Sequence, residues 1–154
     1  MIERSTLSDE HAAILEIAGA ILDIIAQPDF DVILAIKMRW RLGHALAVHL
    51  AKEDKIIYPR LKQQGNAQVA DLAQRFEREM GGLSVEYQRY MVAWAGESIR
   101  ADRDAFRADT RRILSLLALR VEREEAELYP MYEATGETAA VTGGHLAPPF
   151  AKSG

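Results

Sequence analysis

The chain has 154 residues, of which 49% are hydrophobic and 27% charged, and a formal net charge of −4; this composition is typical of one globular domain and excludes a disordered chain. It contains no cysteine, which excludes disulfides, iron–sulfur clusters, thiolate zinc sites and a cysteine nucleophile, so a bound metal would need histidine and carboxylate ligands. Arginine and lysine are scattered among acidic residues, which argues against a nucleic-acid-binding surface.

No segment predicts a membrane-spanning or secreted protein. The most apolar stretch, residues 12–26, is too short to span a bilayer and carries two acidic residues. The N-terminus lacks the charged-then-apolar pattern of a signal peptide. We therefore expect a cytoplasmic protein that contacts neither a membrane nor nucleic acid.

The first predicted helix runs from Thr6 or Ser8 to about Gln27, and Pro28 ends the helical pattern. The residues expected to face inward recur every three or four positions: Leu15, Ala18, Leu22 and Ile25. His11 lies one turn before Leu15 on the same face, so we expect its imidazole in the core.

The second predicted helix begins at a cap, Asp29, and places a histidine and a glutamate on its inward face before Pro59. That face consists of Met38, Leu42, Ala45, His49, Glu53 and Ile56. His49 and Glu53 are four residues apart, so their side chains lie one above the other. His44 lies about 140° around the helix from His49 and is expected at the rim.

The third predicted helix runs from Asn66 to about Ala95 and has one apolar stripe. The stripe consists of Val69, Leu72, Phe76, Met80, Leu83, Tyr87, Met91 and Trp94. The pair Gly81-Gly82 interrupts the helix at a cost of about 1 kcal/mol per glycine relative to alanine. It indicates either a weak point or a close approach of backbones beside Met80.

The fourth predicted helix runs from the turn at 96–98 to about Ala134 and turns charged as well as apolar residues inward. These are Phe106, Ile113, Leu117, Arg120, Glu124 and Leu128. Residues 136–154 are rich in Thr, Gly, Ala and Pro without helical period, and predict a mobile tail after a single domain of residues 1–135. Four long helices joined by short turns predict an all-α, up-down-up-down four-helix bundle.

A repeat relates the second predicted helix to the fourth. The stretch from His49 to Pro59 recurs 71 positions later, from Arg120 to Pro130. Glutamate, tyrosine and proline are in register, and arginine stands in place of histidine. What this protein does therefore depends largely on what that exchange means.

The positions of the turns predict which residues lie side by side. His11 lies 18 residues before Asp29 (29 − 11) and His49 lies 20 after it (49 − 29), a mismatch of about 3 Å at 1.5 Å per residue. The same count around the second turn puts Met80 level with His49. We therefore expect one polar layer, which comprises His11, His49, Glu53, Met80, Arg120 and Glu124.

These motifs resemble the hemerythrin-like family, whose HHE cation-binding domain is a four-helix bundle around a carboxylate-bridged di-iron centre. In that family the metals are bound by a histidine on helix 1 and by a His-x-x-x-Glu motif on helix 2, which is followed by an aromatic residue and a proline. Helix 3 contributes one or two histidines. Helix 4 contributes a histidine and an acid four or five residues later. Here His11, His49 and Glu53 match the first two elements. Glu124 or Glu125 matches the acid of the last.

Two elements of the family pattern fail within the span of the resemblance, about residues 8–134. Met80 stands where helix 3 usually has a histidine, and Arg120 stands in the histidine position of helix 4. The resemblance implies that one iron is held by the imidazoles of helices 1 and 2 and the other by those of helices 3 and 4, so the losses fall on one metal position. Arg120, a permanent cation, is expected to occupy or face that position and to pair with Glu53 and with Glu124 or Glu125.

Two functional hypotheses follow. In the first, a single iron ion, with Zn or Mn as alternatives, is held by His11, His49, Glu53 and Glu124 for iron or oxygen binding or sensing, with an O2-like small ligand. In the second, the bundle binds no metal, Arg120 locks the polar layer, and the protein is an interaction or regulatory module. A third, a mononuclear oxidase or peroxidase-like enzyme, requires open coordination positions that reach solvent; we expect a binding protein rather than an enzyme.

Plainer structural roles remain open for the same residues. His49 and Glu53 could form a buried polar pair, Met80 could fill a gap in the core, and Arg120 could extend to solvent from a rotated helix. His145, in the tail, is expected to be solvated. The sequence has no ferritin-like Glu-x-x-His, metalloprotease, hydrolase or nucleotide-binding motif. It identifies no protein partner and leaves a homodimer open.

Overall fold

The structure, a computed structural model, describes residues 2–142. Within this span the chain forms helices α1 (Arg4–Ala26), α2 (Val32–Lys52), α3 (Tyr58–Gln64), α4 (Ala67–Ala93), α5 (Gly96–Ala101), α6 (Arg103–Arg123) and α7 (Tyr129–Thr142). Two single π-helical turns, Glu53–Ile57 and Glu124–Leu128, join α2 to α3 and α6 to α7. No strand occurs in the described part of the chain.

The helices pack as a four-helix bundle, which confirms the predicted fold class. Its long members are α1, α2 continued by α3, α4, and α6 continued by α7. The first packs against α2 and α6, while α4 packs against α3 and α6, so helices that follow one another along the chain are neighbours in space. Among residues 2–142, no helix is long and apolar enough to cross a membrane.

Two apolar cores lie on either side of a polar layer. The larger core contains Ile14, and the smaller contains Leu7. Between these two positions on α1 lies His11, which is buried although it is polar. The bundle is therefore apolar above and below the level at which its histidines and glutamates meet, and this isolates the layer from solvent.

Each π turn ends at the tyrosine of a Tyr-Pro pair. The backbone N–H of Tyr58 donates to the carbonyl oxygen of Glu53, and that of Tyr129 donates to Glu124. The proline that follows lacks an N–H and crowds the carbonyl four residues before it, so a regular helix is disfavoured there and the wider turn accommodates it. In a regular α-helix, residues five apart would point about 140° away from each other. The π turn instead brings each tyrosine beneath its glutamate.

The face of α1 that packs inward differs from the predicted one. Leu15 and Leu22 are 39% and 36% exposed, whereas Ile14 and Ile21 are buried. The other two predicted residues are buried. One residue along a helix turns a side chain by about 100°, and the line of buried residues that contains His11 passes through the isoleucines. The prediction for the two leucines is wrong, while that for His11 holds.

Two helix ends differ from the expectation. Asp31, not Asp29, caps α2, since its carboxylate accepts from the N–H of Leu34. The last helix continues to Thr142, past the predicted end near residue 134. The rest of the predicted mobile tail, residues 143–154, lies outside the described part of the chain. The division into a domain and a tail remains a prediction.

Candidate metal centre

Four side chains that could hold a metal ion converge in the polar layer: His11 from α1, His49 from α2, and Glu53 and Glu124 from the two π turns. One potential ligand atom of each lies within 4.8 Å of the others, and all four residues are buried. The imidazole ring centroids are 4.5 Å apart. The helices therefore bring the two histidines to one level, as the count from the turn predicts.

Carboxylates outside the cluster orient both imidazoles. Nδ1 of His11 is 2.8 Å from Oε1 of Glu125, and Nδ1 of His49 is 2.7 Å from Oε2 of Glu10. An ionised carboxylate only accepts hydrogen bonds, so each Nδ1 donates, and in the neutral ring the Nε2 lone pair faces the cluster. Metal-binding histidines are typically held by an outer carboxylate in this way.

The sequence offers Glu125 as the alternative to Glu124 for the acid of the site and gives no indication of Glu10. The structure places both on the outer nitrogens of the imidazoles. Glu10 directly precedes His11, so its side chain points about 100° away around α1, where it meets His49 and Lys52 of α2. No spacing rule indicates such a contact, because it depends on how closely α1 and α2 approach.

Hydrogen-bond acceptors face one another inside the cluster. Nε2 of His11 is 3.0 Å from Oε2 of Glu124, and Nε2 of His49 is 3.4 Å from Oε1 of Glu53. An unprotonated imidazole nitrogen and a carboxylate oxygen repel each other at such distances unless a positive charge lies between them. The cluster is therefore built to hold a cation, either a proton or a metal ion.

Burial and neighbouring charges shift the pKa values of the cluster. Burial alone lowers the pKa of His49, but Glu124 and Glu53 more than offset this and raise it to about 9. Burial raises the pKa of Glu53, and the charge of Glu124 adds to this while His49 opposes it. Burial also acts to raise the pKa of Glu124, but the two histidines and Arg120 together bring it well below its usual range. Without a metal, Glu124 therefore stays charged and His49 stays protonated at neutral pH.

Two tyrosine hydroxyls complete the layer. That of Tyr129 lies 3.0 Å from Nε2 of His11 and 3.1 Å from Nε2 of His49, and it can donate to Oε1 of Glu53 at 3.1 Å. That of Tyr58 lies 3.4 Å from the other oxygen of Glu53. Burial and the nearby carboxylates raise the pKa of both phenols. Periodicity alone does not predict this position for the two tyrosines, because the π turns bring them inward.

Arg120 lies in the core, with 5% of its surface exposed. Its Nε donates to Oε1 of Glu124 at 2.6 Å, and its Nη2 donates to the carbonyl oxygen of Phe76 at 2.7 Å. Its Nη1 donates to Glu79, a carboxylate that Arg123 also contacts. Of the glutamates expected as partners in the layer, the structure pairs Arg120 with Glu124, and the guanidinium occupies one of that carboxylate's two oxygens.

Met80 is buried, and it lines an apolar cleft of about 570 Å³ formed largely by α2 and α4. Other residues of this cleft are Leu46 and Leu50, which flank His49 along α2, and Leu117, one turn before Arg120. His44 also lines the cleft and is exposed, as predicted. His145 lies outside the described residues.

The donor set of the cluster fits a metal ion. Two imidazole nitrogens and two carboxylates suit Fe(II), Mn or Zn, and four protein groups leave coordination positions open on an ion that takes more ligands. Both imidazoles already present the nitrogen that a metal needs, held by outer carboxylates. His11, His49, Glu53 and Glu124 could therefore hold the ion, which would supply Lewis acidity and, for iron, redox chemistry.

Comparison with known families gives a match over most of the chain. The family model described as Hemerythrin HHE cation binding domain matches residues 4–132. This span runs from the first residue of α1 into α7 and includes all four residues of the cluster. No curated protein and no solved structure matches the chain.

Proposed function

The chain belongs to the hemerythrin HHE cation-binding family, and on this basis we propose that it binds a single iron ion in iron or oxygen binding or sensing. The ligands are His11, His49, Glu53 and Glu124. The observation that carries the proposal is the convergence of these four buried donors, with both imidazoles oriented by carboxylates. Nothing in the composition or in the described helices argues for a membrane location, and we propose that the protein acts in the cytoplasm.

The proposal specifies one ion because of Arg120. An arginine cannot act as a ligand, and its permanent charge repels a second cation placed beside Glu124. Its Nε already takes the oxygen of Glu124 that points away from the histidines. These contacts support the proposal that Arg120 takes the second metal position of the family and excludes an ion there.

Binding of a small apolar ligand is supported by the cleft between α2 and α4. Its wall includes residues that flank His49 and precede Arg120 in their helices, so it approaches the layer from the side. A neutral diatomic molecule such as O2 would partition into an apolar cleft of this kind. An ion with open positions would then offer it a binding place.

A second candidate function is a metal-free interaction or regulatory module, and one observation favours it. Arg120 donates to Glu124, to Tyr58 and to the backbone of Phe76, all inside the bundle. A buried carboxylate is thereby neutralised and hydrogen-bonded without any metal. The same polar layer would then serve only to hold the fold together.

Metal analysis of protein purified without a histidine tag separates the two candidates. We expect about one iron per chain in the wild type and in His44→Ala, whose histidine is exposed on the same helix, and loss of the iron in His49→Ala. Circular dichroism checks that the variants fold. Absence of metal after anaerobic iron loading would favour the metal-free module, and two irons per chain with oxo-bridge absorption would contradict a single site.

A further inference from the structure

The Tyr129 hydroxyl lies among the candidate ligands rather than beside them. Its oxygen is 3.0 Å from Nε2 of His11, 3.1 Å from Nε2 of His49 and 3.1 Å from Oε1 of Glu53. The phenol ring stacks on the imidazole of His11, with ring centroids 5.1 Å apart. This side chain is fully buried, so its hydroxyl cannot turn to solvent.

We propose that Tyr129 is a fifth protein ligand and binds ferric iron as a phenolate. The proposal deepens the proposed function and rests on it, because it concerns the same ion. It assigns the site to iron in the trivalent state, since a hard phenolate oxygen favours a hard, highly charged cation. Sequence spacing gives no sign of this role, because residues five apart do not share a face of a regular helix.

Distances between donor atoms carry the argument. With bonds of about 2.1 Å, neighbouring donors around a six-coordinate ion lie about 3 Å apart and opposite donors about 4.2 Å. The three contacts of the Tyr129 oxygen have the neighbouring distance, as does the 3.0 Å between His11 and Glu124. The 4.0 Å between Nε2 of His49 and Oε2 of Glu124 is close to the opposite distance. The Tyr129 oxygen is thus spaced from its three neighbours like a donor that shares one ion with them.

The charges also balance. Glu53, Glu124 and a phenolate would carry three negative charges against the three positive charges of a ferric ion, and the additional charge of Arg120 is opposed by Glu79. On binding, the phenol would lose its proton to solvent, and its oxygen would keep the electron pair that the metal accepts. Iron that enters as Fe(II) requires one-electron oxidation by dioxygen or another oxidant, whereas loading with Fe(III) requires none.

Tyr58 occupies the equivalent place in the repeat but has a different environment. Its oxygen accepts a hydrogen bond from Nη2 of Arg120 at 3.3 Å, and its contact with Glu53 is the longer one, 3.4 Å. A hydroxyl that faces a guanidinium is not free to bind a cation. The exchange of histidine for arginine therefore makes the two tyrosines unequal.

Visible absorption and resonance Raman spectra of the ferric protein test the proposal. We expect a phenolate-to-iron charge-transfer band with enhanced tyrosine ring modes in the wild type. Tyr129→Phe should still bind iron but lose the band. Tyr132→Phe is the control, because Tyr132 lies one turn after Tyr129 in α7 and its hydroxyl donates to the carbonyl oxygen of Ile2. This variant and Tyr58→Phe should both keep the band.

Each outcome bears on a separate statement. Iron bound without the band, or a band that persists in Tyr129→Phe, overturns the phenolate ligand and leaves the proposed function standing. Failure of the wild type to bind iron overturns both. If Tyr129→Phe does not fold, the Tyr58→Phe variant still identifies the ligand. Among the described residues only these two tyrosine hydroxyls contact the cluster, so enhanced tyrosine ring modes that survive in Tyr58→Phe belong to Tyr129.

Discussion

At the residue scale, Arg120 stands where the other copy of the sequence repeat has His49, and it connects several groups of the polar layer. Arg120 pairs with Glu124, draws the hydroxyl of Tyr58 toward itself and reaches out to Glu79. An imidazole is shorter and has two nitrogens in place of a planar fork of five donors, so it could not make all of these contacts at once. The arginine thus supplies a permanent positive charge beside Glu124.

Replacing Arg120 by histidine should increase the amount of metal bound. The change frees Oε1 of Glu124, supplies an imidazole and removes the repelling charge. In the metal-free state it should destabilise the fold by about 1–3 kcal/mol, because buried hydrogen bonds are lost. Metal content and denaturant unfolding measure the two effects.

The matched control for this variant is Arg123→His. Arg123 contacts the same Glu79 carboxylate as Arg120 but is only half-buried, with 39% of its side chain exposed. We expect this variant to bind the same amount of metal as the wild type. Equal metal content in Arg120→His and wild type would show that the guanidinium does not block a second position.

The pKa of His49 predicts that metal binding weakens as the pH falls. A metal needs the unprotonated Nε2, and this imidazole stays protonated up to pH about 9 in the metal-free protein. Affinity should therefore rise up to about tenfold per pH unit between pH 6 and 8, with release of protons. Calorimetric titration with Zn(II) in buffers of different ionisation enthalpy measures both quantities.

The stability of the metal-free protein should depend on pH with the opposite sign. Because the pKa of His49 is raised above its unfolded value of 6.5, this residue contributes stability that is complete below about pH 6.5 and is lost as the pH rises toward 9. The metal-free unfolding temperature should therefore fall over this range.

The dependence of metal affinity on pH tests the role of His49 separately. Metal affinity that does not change with pH would mean that His49 is not a ligand.

At the scale of elements, the two π turns are the feature that builds the site. A regular helix can place His49 above Glu53, but it cannot also place Tyr58 on that face. At the Tyr-Pro pair that follows each glutamate, the backbone N–H of the tyrosine donates to the carbonyl oxygen five residues before it instead of four. The sequence repeat therefore corresponds to two copies of the π turn, and these face each other across the layer.

The Gly81-Gly82 pair in α4 should be replaceable by alanine with a gain in stability. A Cβ added at either position would have no atom within 4 Å, so the pair is not required by a close backbone approach. Each substitution should stabilise the protein by about 0.5–1 kcal/mol, since glycine loses more backbone freedom on folding. Urea unfolding of the single variants measures this.

Gly65 provides the contrast for these substitutions. A Cβ there would lie 2.5 Å from the carbonyl oxygen of Leu61 and 2.5 Å from Val69, so Gly65→Ala should destabilise the protein. If the α4 substitutions also destabilised it, the glycines would have a function beyond local packing, such as movement of α4 beside the apolar cleft.

Sequence predicted the polar layer better than its surroundings. His11, His49 and Glu53 follow from periodicity and from counting residues to a turn, because helix rise and rotation are fixed by local geometry. Glu10 and Arg39 could not be found in this way. Arg39 is buried between the rings of Tyr90 and Phe106, an environment created by three helices at once. The π turns were missed because the hydrogen-bond pattern near a proline depends on small backbone adjustments.

At the scale of the whole molecule, the layer joins parts of the chain that are distant in sequence. His11 is 38 residues from His49 and 113 from Glu124, so the ligands are together only when the bundle is folded. Two apolar cores hold the layer between them. Any ion that binds here therefore stabilises the complete fold rather than one helix.

This coupling predicts how metal should change thermal stability. A ligand present at 100 times its dissociation constant stabilises the folded state by about 2.7 kcal/mol, which corresponds to roughly 5–10 °C in the unfolding temperature of a domain of this size. The shift should appear in the wild type and in His44→Ala, and vanish with a chelator. His49→Ala should show none, because one of the four donors is gone. A similar rise in unfolding temperature in His49→Ala would mean that the ion binds elsewhere in the chain. If metal raises the unfolding temperature of neither the wild type nor any variant, Arg120 is the cation that holds the layer together.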